Sequence, residues 1–267
     1  MVLVVLAVTQ SAPWGWTDAR VLTALAAGAI VVAAALWRSA RHPVPAIEID
    51  LWSSPTYAAA NVVSALFGAV LYAWLLLGVL FLVEIWDYTE LEAGLALSPA
   101  AAAAAAVGVA VGRLGSPPSP RALASLGATA IACTGAALAV WVPAEPHFLT
   151  VWIPAGLVAG AGMGAVSVGI SAAAALSVAP ERFASATGLN VAARQVGGAL
   201  GVAALAAILA GHTPADGLAP FRAVYVFAAV VCGVAALAAL RLALAADTPT
   251  VALQSAGSAT ATAGPER

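Results

Sequence analysis

Long apolar blocks alternate along this chain with short segments that hold most of its charged residues and prolines. A helix needs about 20 predominantly apolar residues to cross a bilayer. The blocks long enough to span are Val21–Trp37, Tyr57–Val83, Ala93–Gly112, Arg121–Val142, Thr150–Val178, Gly188–Gly211 and Phe221–Leu244. The pattern therefore predicts an all-α, polytopic membrane protein.

The loops between the blocks differ in arginine content, and the difference alternates along the chain. Arginine occurs in segments 38–56, 113–121 and 179–187, whereas segments 84–92 and 143–149 contain none. Short loops rich in arginine or lysine stay on the cytoplasmic side of a membrane. We therefore predict that the arginine-bearing loops and the C-terminus are cytoplasmic. The absence of lysine and the excess of alanine suggest a bacterial protein, multi-pass in the inner (plasma) membrane.

Composition narrows the function classes. The chain is 63% hydrophobic and 8% charged, whereas soluble domains average roughly 25% charged residues. Its net charge of −2 argues against a nucleic-acid partner. The sequence has no phosphate-binding loop, no Ser-His-Asp grouping and no metal-ligand spacing. We therefore predict neither an enzyme nor a resident metal or cofactor.

Arg194 is the only charged residue deep inside an apolar block. A charge at membrane depth is costly and usually faces a protein interior or an aqueous cavity. Asn190 falls on the same helix face, so one interpretation is a polar gate formed by the two residues. The other is that Arg194 extends its apolar stem to the cytoplasmic headgroups. Both interpretations stay open from the sequence.

Narrow stripes of polar or small residues mark further helix faces. Asn61, Ser64 and Tyr72 share one face of the second block, which predicts either substrate contact or interhelical hydrogen bonds. Trp74 points the other way, so we expect it to contact lipid. Glycine stripes in the fifth and sixth blocks predict close helix packing. They comprise Gly156, Gly160, Gly164, Gly197, Gly198 and Gly201.

One segment, from Gly188 to Ala203, reads Gly-Leu-Asn-Val-Ala-Ala-Arg-Gln-Val-Gly-Gly-Ala-Leu-Gly-Val-Ala. It resembles the penultimate helix of the fourteen-helix drug:proton antiporters (EmrB/QacA type) of the major facilitator superfamily. Other motifs similar to that family follow its order along the chain. They are Trp14-Gly15-Trp16, Leu51-Trp52 followed by Asn61, the stretch Phe81 to Pro99, and Gly112-Arg113-Leu114 with Arg121.

The resemblance implies a C-terminal six-helix transporter domain over residues 57–244. It is preceded by a partial linker-helix region over 1–56, with one helix stub and one full span, and followed by a disordered cytoplasmic tail over 245–267. The implied function is proton-driven efflux of amphipathic drugs or other small organic compounds, with the proton gradient as the energy source. The coupling carboxylate is expected in an N-terminal transporter half outside this sequence, and Arg194 at the interface with that half.

Two alternatives stay open. The chain could be a truncated, non-transporting membrane module or a half-transporter that needs a separate N-terminal half. It could also belong to an importer of the same superfamily. The expected surroundings in each case are the lipid bilayer, and the expected ligand of a transporter is a small molecule.

Overall fold

The computed structural model describes residues 18–41, 49–210 and 217–242, and all regular structure in these ranges is helical. The α-helices are α1 (Ala19–Arg41), α2 (Pro55–Glu84), α3 (Glu90–Arg113), α4 (Pro120–Trp141), α5 (Ile153–Leu176), α6 (Phe183–Leu209) and α7 (Ala219–Ala239). Helices α2 to α7 are long and apolar enough to cross a membrane. The predicted all-α, polytopic membrane fold is confirmed.

The helix bounds follow the apolar blocks to within a few residues. Helix α7 ends at Ala239 rather than at Leu244, and two further differences concern where helices begin. Helix α6 begins at Phe183 rather than at Gly188, because a 3₁₀ turn over Pro180–Arg182 leads directly into it. Helix α5 is preceded by a π-helical turn over Phe148–Trp152. The predicted tail over 245–267 lies outside the described residues, and the proposed domain limits stay predictions.

Three helices begin at hydroxyl side chains, as their sequences favour. Ser54 precedes Pro55 at the start of α2, and its Oγ accepts from the N–H of Tyr57 at 3.4 Å. Thr89 forms a reciprocal capping box with Glu92 at the start of α3, with N···O distances of 3.3 and 2.8 Å. Ser119 caps α4 in the same way as Ser54 caps α2. These caps satisfy backbone N–H groups that have no partner within the helix.

The helices pair in a pattern that repeats within the bundle. The main pairings are α2 with α5, α6 and α7, α4 with α5 and α7, and α3 with α5. Exchanging α2, α3 and α4 for α5, α6 and α7 converts the α2–α6 pairing into α5–α3 and the α4–α5 pairing into α7–α2. The bundle thus consists of two similarly arranged three-helix units, α2 to α4 and α5 to α7. Helices α2, α4, α5 and α7 each take part in more than one of the main pairings.

The interior divides into two apolar clusters. One surrounds Tyr57 and Phe67 on α2. The other, which we call the aromatic cluster, joins Phe81, Trp86, Trp152, Phe221 and Tyr225. Four of these five aromatic residues lie near the end of α2 or the beginnings of α5 and α7, so the cluster occupies the end of the bundle that also holds the arginine-free segment 84–92.

Candidate functional site

A cavity of about 700 Å³ opens between α2, α3 and α5, with α4 and α7 also contributing to its wall. Its aromatic lining comes from Phe67, Trp74, Trp152 and Tyr225, and none of the residues that line it is charged. Ligand sites are typically clefts of about 300–1,000 Å³ with mainly apolar walls and few polar groups. This cavity has the size and the chemistry to hold an apolar or amphipathic organic compound.

Small residues allow α3 and α5 to approach closely where both helices line the cavity. A Cβ atom added to Gly160 would collide with the backbone of Ala100, and one added to Gly164 would collide with that of Ala104. Gly156 lies one turn away, at van der Waals distance from Ala100. The backbones of α3 and α5 are thus in direct contact beside the cavity, and α2 supplies larger side chains to its wall.

A buried polar network joins α2 to α6. The Ser64 hydroxyl donates to the main-chain oxygen of Asn190 at 2.9 Å. The Asn190 amide donates to the Asn61 side-chain oxygen and to the Ala60 carbonyl, both at 3.4 Å. Asn61 in turn donates to the Tyr57 carbonyl at 2.9 Å. Ser64, Asn61 and Asn190 are almost completely buried, so the network acts as an interhelical contact inside the bundle.

Glycines allow the close approach that this network requires. A Cβ on Gly197 would collide with the backbone of Ala65, and one on Gly201 with that of Ala69. From the other side, a Cβ on Gly68 would meet the Arg194 carbonyl oxygen. Helices in lipid associate through such packing, because lipid tails are as apolar as the side chains they would replace.

Arg194 is half-buried, and within the described ranges its guanidinium forms no ion pair or hydrogen bond. Beside it, the Tyr72 hydroxyl donates to Gln195 Oε1 at 2.7 Å, and the Tyr72 ring covers Gly198. The structure thus brings Tyr72 to the face of α6 next to Arg194.

The sequence-predicted polar residues do not line the apolar cavity. Its lining includes neither Arg194 and Asn190 nor Asn61, Ser64 and Tyr72. Their roles in a gate or a substrate cavity stay predictions.

The large side chains that line the cavity were missed from the sequence, whereas Gly156, Gly160 and Gly164, predicted as packing residues, also line it. Trp74 was expected to face lipid, which is wrong: it lies on the cavity wall, and its ring packs edge-on against Tyr225 with centroids 5.3 Å apart. Met163 and Trp152 also line the cavity. An apolar side chain that faces a cavity has the same sequence signal as one that faces lipid, so helical periodicity could not separate them.

A family model and two individual relatives all point to the same protein family. A family model described as Major Facilitator Superfamily matches residues 1–202. An uncharacterized MFS-type transporter, YhcA of Bacillus subtilis, is 28% identical over 94 residues, which are 35% of this chain and 18% of that protein. The major facilitator superfamily multidrug transporter mfsC of Aspergillus fumigatus is 31% identical over 107 residues, 40% of this chain and 21% of that protein. The matched regions thus cover about a fifth of each relative.

Proposed function

Because this chain belongs to the Major Facilitator Superfamily, we propose that it forms the C-terminal six-helix part of a proton-driven exporter of amphipathic organic compounds. Membership of the family supports a multi-pass membrane transporter. Transport itself, its direction, the coupling ion and the class of compound are all parts of this proposal. We also propose a bacterial inner-membrane location with a cytoplasmic C-terminus, on the alternation of arginine-bearing loops.

The apolar cavity between α2, α3 and α5 is the observation that carries the proposal. Its wall combines aromatic rings with alanine and glycine, and its polar groups are mainly hydroxyls such as Ser98 and Ser167. Burial of a compound's apolar surface against such a wall stabilises binding by roughly 25 cal/mol per Å². It requires no particular pattern of hydrogen bonds. It therefore suits compounds that share apolar area and differ in polar groups. One relative, mfsC, is itself described as a multidrug transporter.

We propose that proton coupling depends on a second transporter half. Within the six long helices, acidic side chains occur only near the ends, as Glu84 on α2 and Glu90 and Glu92 on α3 illustrate. A proton-coupling carboxylate normally lies at membrane depth. The half-buried Arg194, on α6, is our candidate for a contact with that half.

Transport in everted membrane vesicles tests the proposal directly. The protein is expressed with any coding sequence that precedes this chain, and a cationic aromatic dye is supplied outside the vesicles. We expect dye uptake when a proton gradient is imposed, and loss of uptake when a protonophore is added. Uptake by right-side-out cells instead would favour an importer, and the absence of gradient-dependent movement in both systems would contradict transport of this class.

A pair of variants on α3 links transport to the cavity. Ala101 lines the cavity and is exposed, so Ala101→Phe places a ring in the open space without disturbing the interior. Ala106 is also exposed but is not among the lining residues, and Ala106→Phe is the matched control. We expect the first substitution to lower dye transport at equal membrane levels and the second to leave it unchanged. Equal effects of the two substitutions would show that transport does not depend on this cavity.

Arg194 gives a second, independent test. In the full-length protein, Arg194→Ala should abolish drug resistance and leave the amount of protein in the membrane intact. Arg194→Lys retains the charge and should retain part of the resistance. Unchanged resistance in Arg194→Ala would rule out a gate and leave the headgroup interpretation in place.

A further inference from the structure

Trp152 occupies the point where the apolar cavity meets the aromatic cluster. It lines the cavity, belongs to the aromatic cluster and is only 8% exposed. Tyr225 on α7 is likewise shared by the two regions. Trp152 lies directly before α5 and therefore stands between the cavity and the aromatic cluster on that side.

The backbone before Trp152 has an unusual pitch. The N–H groups of Val151 and Trp152 both donate to the carbonyl of His147, at 3.0 and 3.2 Å, and the N–H of Ile153 donates to that of Phe148. The last two of these are bonds across five residues, which widen the turn relative to an α-helix. Trp152 is the last residue of this widened turn, and its indole reaches α3.

The indole reaches α3 one turn before a proline. Pro99 has no N–H, so the carbonyl of Leu95 lacks its usual helical donor, and the Ser98 hydroxyl donates to it instead at 2.7 Å. The adjoining carbonyl, that of Ala96, accepts from Trp152 Nε1–H at 3.1 Å. Side chains therefore bond two successive carbonyls in the turn that the proline interrupts. This buried bond fixes one edge of the Trp152 ring.

Ring contacts fix the rest of the indole. Phe81 stacks on it with centroids 5.7 Å apart and an interplanar angle of 5°, and Trp86 packs against it at 5.5 Å. Gly78 on α2 faces the same region, where an added Cβ would crowd Leu97 at 3.0 Å and lie at ordinary contact distance, 3.9 Å, from Trp152. The indole is held by a hydrogen bond at one edge and by aromatic rings, so it cannot turn aside for a ligand without breaking both sets of contacts.

We propose that Trp152 is a specificity-determining residue whose fixed indole forms the end wall of the cavity and limits the length of the compound that the cavity accepts. The proposal rests on the proposed function in one respect, since it takes the cavity as the place where the transported compound is held. A compound longer than the cavity has to stop at the indole. Removing the ring lengthens the cavity toward Phe81, on which the indole stacks.

A homologous series of N-alkyl acridinium dyes measures this limit with the full-length protein in detergent. Each methylene that enters apolar surroundings strengthens binding about fourfold, from about 0.8 kcal/mol per CH₂. We expect the wild-type affinity to rise along the series and then stop rising at a chain length set by Trp152. In Trp152→Ala the rise should continue to longer homologues. In Trp152→Phe, which keeps a ring but loses the N–H donor, the limit should move by less.

The matched control is Trp141→Ala, because Trp141 lies on α4 and is 73% exposed. It should leave the chain-length limit unchanged. Trp152→Phe also decides the outcome if Trp152→Ala does not fold. An unchanged limit in each Trp152 variant that folds overturns the proposal, and so does an equal shift in Trp141→Ala.

A second readout separates this proposal from the proposed function. In a background without Cys133 and Cys232, the two cysteines of the chain, Gly156→Cys places a thiol on the cavity wall one turn from Trp152. We expect maleimides with long N-alkyl chains to label this thiol faster by tenfold or more once Trp152 is alanine. Faster labelling without any dye binding would retain the end wall and contradict the substrate cavity. If dyes bind but neither the chain-length limit nor the labelling rate changes in the Trp152 variants, the substrate cavity is retained and the end wall is contradicted.

Discussion

Gly201→Ala should destabilise the bundle, although the same substitution at Gly188 on the same helix should stabilise it. Gly201 is buried against α2, and an added Cβ would lie 2.5 Å from both the carbonyl carbon and the Cα of Ala69. At Gly188 an added Cβ would have no neighbour within 4 Å. The two positions share a helix, a residue type and a substitution, and they differ in what the new methyl group meets.

The difference between the two variants isolates the clash. Replacing glycine by alanine inside a helix gains about 0.8–1 kcal/mol in either variant from helix propensity. The carbonyl oxygen of Ala69 would lie even closer to the added Cβ, and ordinary van der Waals contact begins at 3.4 Å. Helix α6 therefore has to move away from α2 by about 1.5 Å, because backbone atoms cannot rotate aside as a side chain can. Overpacking of this kind costs about 1–3 kcal/mol. We expect Gly201→Ala to be less stable than Gly188→Ala by that amount.

Unfolding of the purified proteins in mixed micelles, titrated with a denaturing detergent, measures the difference. The free energies of unfolding should rank Gly188→Ala first, the unaltered protein second and Gly201→Ala last. A Gly201→Ala protein as stable as Gly188→Ala would show that α6 and α2 are not in backbone contact at this point, and the explanation of the glycine stripe on α6 would then be wrong.

Two further predictions use the same unfolding measurement. Thr89→Ala removes the capping box at the start of α3 and should cost about 1 kcal/mol, with no loss if the cap does not form. Ser64→Ala removes the hydroxyl that donates to the main chain of Asn190 and should cost about 0.6–1.7 kcal/mol. Ser64 donates to the main-chain oxygen of Asn190 at 2.9 Å and lies 3.4 Å from its side-chain oxygen. The cost of Ser64→Ala should therefore persist almost unchanged in an Asn190→Ala background. Strong coupling between the two substitutions would contradict that geometry.

Hydropathy was enough to predict the six long apolar helices α2 to α7, and the boundary error at the start of α6 has a local cause. The residues from Phe183 to Thr187 include two hydroxyl side chains among small residues, so they resemble a loop to a method that follows apolar runs. In the structure they are helical because the turn over Pro180–Arg182 already has a helical bond, from the Arg182 N–H to the Ala179 carbonyl. Helix formation here is propagated from the preceding turn.

The cavity was beyond what periodicity could predict. Wheel arithmetic identifies the side of a helix that carries polarity, and on α2 that side faces α6, where Asn61 and Ser64 are buried. The cavity lies on the adjoining face of α2, where Phe67 and Trp74 contribute apolar surface. Lipid and a cavity for apolar compounds favour the same side chains. Only the position of α3 and α5 distinguishes them, and that depends on contacts between distant parts of the chain.

The network between α2 and α6 has a consequence for biosynthesis. Ser64 and its acceptor on Asn190 are 126 residues apart, and ribosomes add about 5–20 residues per second. About 6–25 s therefore pass between the synthesis of the polar face of α2 and that of its partner Asn190 on α6. During that interval Asn61 and Ser64 need temporary partners, from water, from lipid headgroups or from the insertion machinery. A chain that stops before α6 lacks the acceptor of the Ser64 hydroxyl and the donor to Asn61 Oδ1. The Asn61 amide keeps its bond to the Tyr57 carbonyl within α2.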